Sequence, residues 1–141
     1  KEAESSCAVL DKTLELMETA KNNLSNQYVG GVERNFAAYM QELLGSDFGS
    51  TLVDHDLTIH VDEKGEAREI DYFSAGTIDS ILLCMRLALV DALFKQEKPF
   101  ILLDDPFVNL DDEHTKSALQ MLQEIAQNRQ VVYMVCNSSR C

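Results

Sequence analysis

Residues 98–114 read KPFILLDDPFVNLDDEH, and the fold turns on them. Pro99 to Leu103 is a short continuous apolar run that ends in Asp104. Such a run is the mark of a β-strand covered on both faces, the usual state of a strand in a parallel sheet. Two carboxylates, Asp104 and Asp105, follow it directly. Adjacent carboxylates repel, so they persist where a cation or a reaction requires them, and the carboxyl end of a parallel strand is where open α/β sheets bind ligands. An aspartate in that place holds Mg²⁺ through its water shell, and a second carboxylate orients a water. The structural alternative is that one of the pair caps the turn containing Pro106.

The elements on either side agree with a parallel sheet. Downstream, Asp111 or Asp112 caps a helix carrying Leu119, Met121, Leu122, Ile125 and Ala126, after which Val131 to Cys136 is again apolar. Upstream, Ser74 opens a helix that is apolar almost all round from Ile78 to Phe94, which implies burial on several sides. Helix, strand, helix, strand is the rhythm of a parallel layer. Ser74-Ala75-Gly76-Thr77 at the start of the first helix reads most simply as an N-cap. A small-residue turn there also offers free N–H groups and the positive end of the helix dipole to a phosphate. Asn109-Leu110-Asp111, taken singly, is a loop and a helix cap.

Toward the N-terminus the period changes. Leu57, Ile59 and Val61 alternate with Thr58 and His60, Asp62 to Glu66 supplies a turn with Gly65, and Ala67 to Tyr72 runs back, predicting a hairpin. Residues 46–75 hold eight acids and two bases, which reads as a solvated acidic face. Further upstream, Val32, Phe36, Tyr39, Met40 and Leu43 share one face of a helix over 32–44, stopped by Gly45. Before it, Cys7, Leu10, Leu14, Met17, Lys21, Leu24 and Tyr28 are spaced three and four apart, a heptad seam that Gly30 and Gly31 are expected to break. The seam suits a partner helix from outside this chain, and equally an ordinary amphipathic helix on its own domain. The expected division is a coiled-coil arm over residues 1–30 and an α/β lobe over 31–141.

Composition sets limits on function. The chain has 141 residues, of which 45% are apolar and 26% charged, enough for one packed core. Twelve Lys and Arg against 24 Asp and Glu give 12 − 24 = −12. That surface repels nucleic-acid backbones and anionic membranes. No apolar run is long enough to span a bilayer, and no secretory leader opens the chain, so a cytoplasmic protein with no membrane contact is expected. Cys7, Cys84, Cys136 and Cys141 are too scattered for a zinc knuckle and are expected to stay reduced.

Four segments together, YFSAGT (72–77), the helix containing Arg86-Leu87-Ala88-Leu89, PFILLDDPFVNLDDEH (99–114) and QVVYMVCN (130–137), resemble the C-terminal lobe of an ABC-type ATPase head of the SMC, RecN and SbcC group, with YhaN-like coiled-coil ATPases nearest. The resemblance implies a partial P-loop NTPase fold, α/β with parallel strands, a hairpin and a coiled-coil helix. It also implies ATP and Mg²⁺ as ligands. Ser74, Ala75, Gly76 and Thr77 match the signature motif, which reaches ATP held by a second head in a homodimer. Asp104 matches the Walker B metal-positioning aspartate, and Asp105 stands where the catalytic glutamate is usual. Asn109 and Asp111 match the D-loop, and Asn137 occupies the place of a switch histidine.

Three positions depart from the pattern. Asp105 is one methylene short, Asn137 cannot take a proton, and Ala75 replaces a glycine. More consequential, no GxxxxGK[ST] occurs in these 141 residues. The chain therefore needs a separate N-terminal Walker A lobe and is expected to be inactive alone. With that lobe, the resemblance implies an ATP-hydrolysing head in DNA repair or chromosome maintenance. The alternative is a nucleotide-gated dimerisation module with little hydrolysis. DNA as a partner follows from the resemblance only.

Overall fold

The computed structural model describes residues 2–45, 48, 50–53, 58–63 and 66–136. Helix α1 spans Glu2–Leu44, a rod about 64 Å long at 1.5 Å per residue. It passes through Gly30 and Gly31 without interruption, so the expected break and separate second helix are corrected to one continuous element. A helical glycine costs only about 1 kcal/mol relative to alanine. Packing just beyond outweighs it: Val32, Phe36, Met40 and Leu43 form a fully buried stripe. Gly45, with φ of 81° and its N–H donating to the Gln41 carbonyl at 3.0 Å, ends the helix as expected.

Neither glycine is demanded by sterics. A Cβ on Gly30 would meet nothing within 4 Å, and one on Gly31 would meet the Ala92 Cβ at an ordinary 3.8 Å. Gly30→Ala should therefore raise unfolding stability by about 0.5–1 kcal/mol, read from the denaturant midpoint. A loss would show that the helix is not continuous there.

The lobe itself is mixed α/β. Strands β1 (Ser50–Val53), β2 (Ile59–Glu63) and β3 (Glu66–Arg68) form an antiparallel meander, with Thr51 opposite Val61 and Val61 opposite Arg68. The hairpin is thus present, although its return strand stops at Arg68, and Leu57 and the turn at 64–65 lie outside the described residues. Ile70–Tyr72 forms a 3-10 turn instead of continuing the strand. There the Arg68 guanidinium sits 4.6 Å from the centre of the Tyr72 ring.

Helix α2 (Ala75–Leu93) packs mainly on α1, burying Ile81, Leu83, Cys84, Met85, Leu87, Ala88 and Ala92. Strands β4 (Ile101–Asp104) and β5 (Val131–Met134) pair in parallel, Ile101 opposite Val131 through Asp104 opposite Met134, and α3 (Asp112–Ala126) connects them. One core unites α1, α2, α3 and the inward residues of both sheets. Cys7 and Cys84 carry free thiols, and burial pushes the Cys84 thiol up to about 12.

One expectation fails at β4. Ile101 and Leu103 face the core, but Leu102 is 58% exposed and Phe100 65%. The strand is covered on one face only, because its sheet has two strands and no described element crosses the other side. Apolar side chains at Leu82, Phe100, Leu102 and Val108 thus line an open groove beside α2. No described helix is long and apolar enough to cross a membrane.

Candidate functional site

The site is built where α2 begins and β4 ends. Ser74 is extended (φ −64°, ψ 157°), and its Oγ accepts the Thr77 N–H at 3.2 Å while lying 2.9 Å from Thr77 Oγ1. The capping role read from sequence is therefore real. Ser74 and Ala75 are both exposed, so the outer side of this turn faces solvent. Gly76 is buried, and Ser80 Oγ donates to its carbonyl at 2.9 Å.

Asp104 ends β4 exposed. Asp105 follows with φ of 44°, in the left-handed region that aspartate tolerates better than most side chains. Its N–H donates to the Met134 carbonyl at 2.8 Å, which extends the β4–β5 pairing by one bond and fixes the turn. Phe107, wholly buried, anchors that turn against Tyr133, with ring centres 5.5 Å apart. Asp111 then caps α3: Oδ1 accepts the His114 N–H at 2.8 Å, and the His114 ring lies at hydrogen-bonding distance from both carboxylate oxygens. The His114 backbone N–H, and then its ring, hold the Asp111 carboxyl below its ordinary value.

The predicted residues come together in two groups. Gly76 packs directly on Asn109, so that a Cβ at residue 76 would lie 2.4 Å from the Asn109 carbonyl oxygen. Asp104 and Asp105 line a cavity of about 500 Å³ with Asp79, Arg86, Pro106 and the apolar groove residues. Ser74, Ala75 and Thr77 do not line it. Asn137 lies outside the described residues. Asp79, which sequence reading overlooked, connects the groups: it accepts a hydrogen bond from Asn109 Nδ2 at 2.7 Å and faces the acids' cavity. A signal existed. Asp79, Arg86 and Asp91 are the only charged residues in α2, and the first two, seven apart, fall on one face.

No described cluster of three or more His, Cys, Asp or Glu forms an all-protein metal cage. The donor set that exists, exposed carboxylate oxygens at a strand end, fits Mg²⁺. That ion keeps several waters and takes one or two carboxylates together with substrate phosphates.

No family model matches the chain. The chain is 32% identical over 119 residues to the DNA double-strand break repair Rad50 ATPase of Methanopyrus kandleri, covering 83% of this chain but only 13% of that protein. Among solved structures it is similar to an SMC ATPase studied for ATP-driven dimerization and DNA-stimulated activation, at 19% identity and a TM-score of 0.67, over 85% of this chain and 75% of that one. It is also similar to the Smc head of Pyrococcus furiosus, with an extended coiled coil and bound to the C-terminal domain of ScpA, at 18% identity and a TM-score of 0.66, over 97% and 36%. The SMC head of Thermotoga maritima aligns at 23% identity and a TM-score of 0.55, over 84% and 42%. At these identities the solved structures establish the fold.

Proposed function

We propose, from the premise that this chain is a lobe of an SMC/Rad50-type ABC ATPase head, that it supplies the signature, Walker B and D-loop elements of an ATP-hydrolysing site completed by a separate Walker A lobe and a second head. The observation that carries this reading is the packing of Gly76 on Asn109. It joins the α2 turn to the segment that follows Asp104 and Asp105 beyond the carboxyl end of β4.

Each residue then has a role. The exposed Ser74 turn, with the α2 N–H groups, contacts the γ-phosphate of ATP on the opposite head, where positive dipole ends stabilise developing charge. Asp105 orients the attacking water and accepts its proton. Asp104 would hold Mg²⁺, which neutralises phosphate charge during transfer. Asn109 and Asp111 line the interface beside the nucleotide, and Asn137 donates to a phosphate oxygen. The groove over Leu102 and Phe100 suits the Walker A lobe, whose strands would give β4 the cover its sequence anticipates. Leu10, Leu14 and Met17 on α1, each about three-fifths exposed, suit a returning coiled-coil partner. Similarity to a Rad50 ATPase supports a role on DNA, with contacts outside this acidic lobe.

A second reading has one observation in its favour. The Asp105 backbone is already committed to the left-handed region and bonded to β5, so its short side chain has little freedom to reach for water. On that reading the head closes on ATP and hydrolyses slowly.

The test is Asp105→Asn in a protein carrying both halves of the head. Mg²⁺-dependent phosphate release should fall about a hundredfold, the scale of a lost general base, while ATP-dependent head association persists. Unchanged turnover would exclude Asp105 as the water-orienting group. Association with negligible release in the unaltered protein would favour the second reading.

A further inference from the structure

We infer that Asp79 is a positioning residue that clamps the D-loop turn to the signature helix, and so sets the distance between the two nucleotide pockets that one head serves. The inference rests on the reading above, in which Ser74 acts on a partner's ATP and Asp105 on the ATP of its own head.

The geometry begins with spacing. Gly76 and Asp79 are three apart in the first turns of α2, so they lie one above the other on the same face. That face meets Asn109 at two points. The Asn109 carbonyl sits against the Gly76 Cα, and its Nδ2 donates to Asp79 Oδ2 at 2.7 Å. The 105–109 turn is fixed by the Asp105 N–H on the Met134 carbonyl, by the buried Phe107 ring and by the grip on Asn109. The last ties it by a directed polar bond to the helix that carries Ser74. Contact with Gly76 alone limits approach without resisting separation, because a glycine has no side chain to hold what it touches. The bond to Asp79 supplies the missing tension, and a carboxylate acceptor makes it stronger than a neutral pair.

Asp79 also lines the cavity of Asp104 and Asp105, which invites a different role, direct contact with a metal or with the nucleotide. The two roles separate on charge. A clamp needs an acceptor opposite the Asn109 amide, which the carbonyl of an asparagine provides. A ligand to a cation draws most of its hold from the negative charge, which asparagine lacks.

The experiment compares Asp79→Ala and Asp79→Asn in the protein with both halves of the head. Amide hydrogen exchange without nucleotide is the first readout. In Asp79→Ala, exchange at Leu110, whose N–H closes the turn on the Phe107 carbonyl at 3.2 Å, should accelerate about fivefold. In Asp79→Asn it should match the unaltered protein. Steady-state kinetics with Mg-ATP is the second. Asp79→Ala should lower kcat about tenfold, a modest share of what a misplaced reacting group costs, with KM changed less than twofold. Asp79→Asn should restore kcat to within about twofold. Unchanged exchange in Asp79→Ala overturns the clamp. So does accelerated exchange with unaltered kcat, which would make the bond structural only, and so does an Asp79→Asn variant as impaired as Asp79→Ala, which would make Asp79 a charge ligand. If the unaltered protein neither associates on ATP nor hydrolyses it, the proposed function fails and this inference falls with it. That outcome is distinct, because the exchange arm is read without nucleotide.

Discussion

Arg129→Ala should lower the unfolding free energy by about 3 kcal/mol, the lower end of the cost of removing one partner from a buried ion pair. The Arg129 side chain is 4% exposed and donates to Asp91, itself 15% exposed. Asp91 also accepts the Tyr39 hydroxyl at 2.5 Å and lies 3.6 Å from Lys98. One carboxylate thus ties α1 through Tyr39 and the α3–β5 junction through Arg129 to α2. Without the guanidinium it stays largely buried with a phenol and a partly exposed ammonium for company, which explains a loss near the lower bound. Arg129 Nε has no partner among the described residues, so the pair is not perfectly satisfied and the upper bound is not expected.

The pH dependence has a definite sign. Burial pushes the Asp91 carboxyl up, but the Tyr39 hydroxyl, the Arg129 guanidinium and Lys98 outweigh it and hold the group below its ordinary value. A depressed carboxyl stabilises the fold above its unfolded pKa, about 3.9, and that contribution disappears as pH falls through the lower folded value. The difference between the unaltered protein and Arg129→Ala should therefore be constant above about pH 5 and shrink below pH 4. Burial, then the bond to Asp91, raises the Tyr39 hydroxyl, so it remains a neutral donor throughout that range. Denaturant midpoints across pH are the measurement. A loss under about 1 kcal/mol would mean that the pair behaves as a surface pair.

The parts of the molecule that were legible in sequence share a property: each is decided by its own neighbours in the chain. Ser74 and Asp111 are caps because a short oxygen-bearing side chain stands before a helical stretch. Strand β4 is legible because apolar residues run without a break, and Gly45 stops α1 because only its left-handed backbone is at issue. What was not legible depends on partners far along the chain. Gly30 and Gly31 look like a break until Val32, Phe36 and Met40 are seen to be buried. Strand β1 has a four-residue sequence, STLV, too short for a period, and exists because it pairs with β2. Leu102 reads as covered, and its exposure expresses which elements this chain contains. Asp79 and Asp91 were unremarked because nothing adjacent to them names Asn109, Tyr39 or Arg129 as partners. The candidate site divides in the same way. Its residue types were visible in sequence, while the contact that joins them was not.

Gly76→Ala should cost about 3 kcal/mol of stability and weaken ATP-dependent association or turnover about a hundredfold, the scale expected when reacting groups are displaced by 1 Å. The added Cβ would lie 2.4 Å from the Asn109 carbonyl oxygen, 3.2 Å from its carbonyl carbon and 3.6 Å from Leu110 Cδ2. The nearest obstacle is backbone and cannot rotate aside, so the turn at Asn109 or the start of α2 must move by about 1 Å to reach an ordinary carbon–oxygen contact. The sign makes the test sharp. In a helix, alanine is intrinsically better than glycine by about 1 kcal/mol, so an uncrowded residue 76 would give a variant more stable than the parent, as expected for Gly30→Ala. Destabilisation at one glycine with stabilisation at the other isolates the Asn109 contact as the cause. It also bears on Ala75, which on the proposed reading stands where the signature pattern has a glycine. Ala75 is exposed, so the strict demand for glycine in this turn falls on residue 76, where the helix touches Asn109.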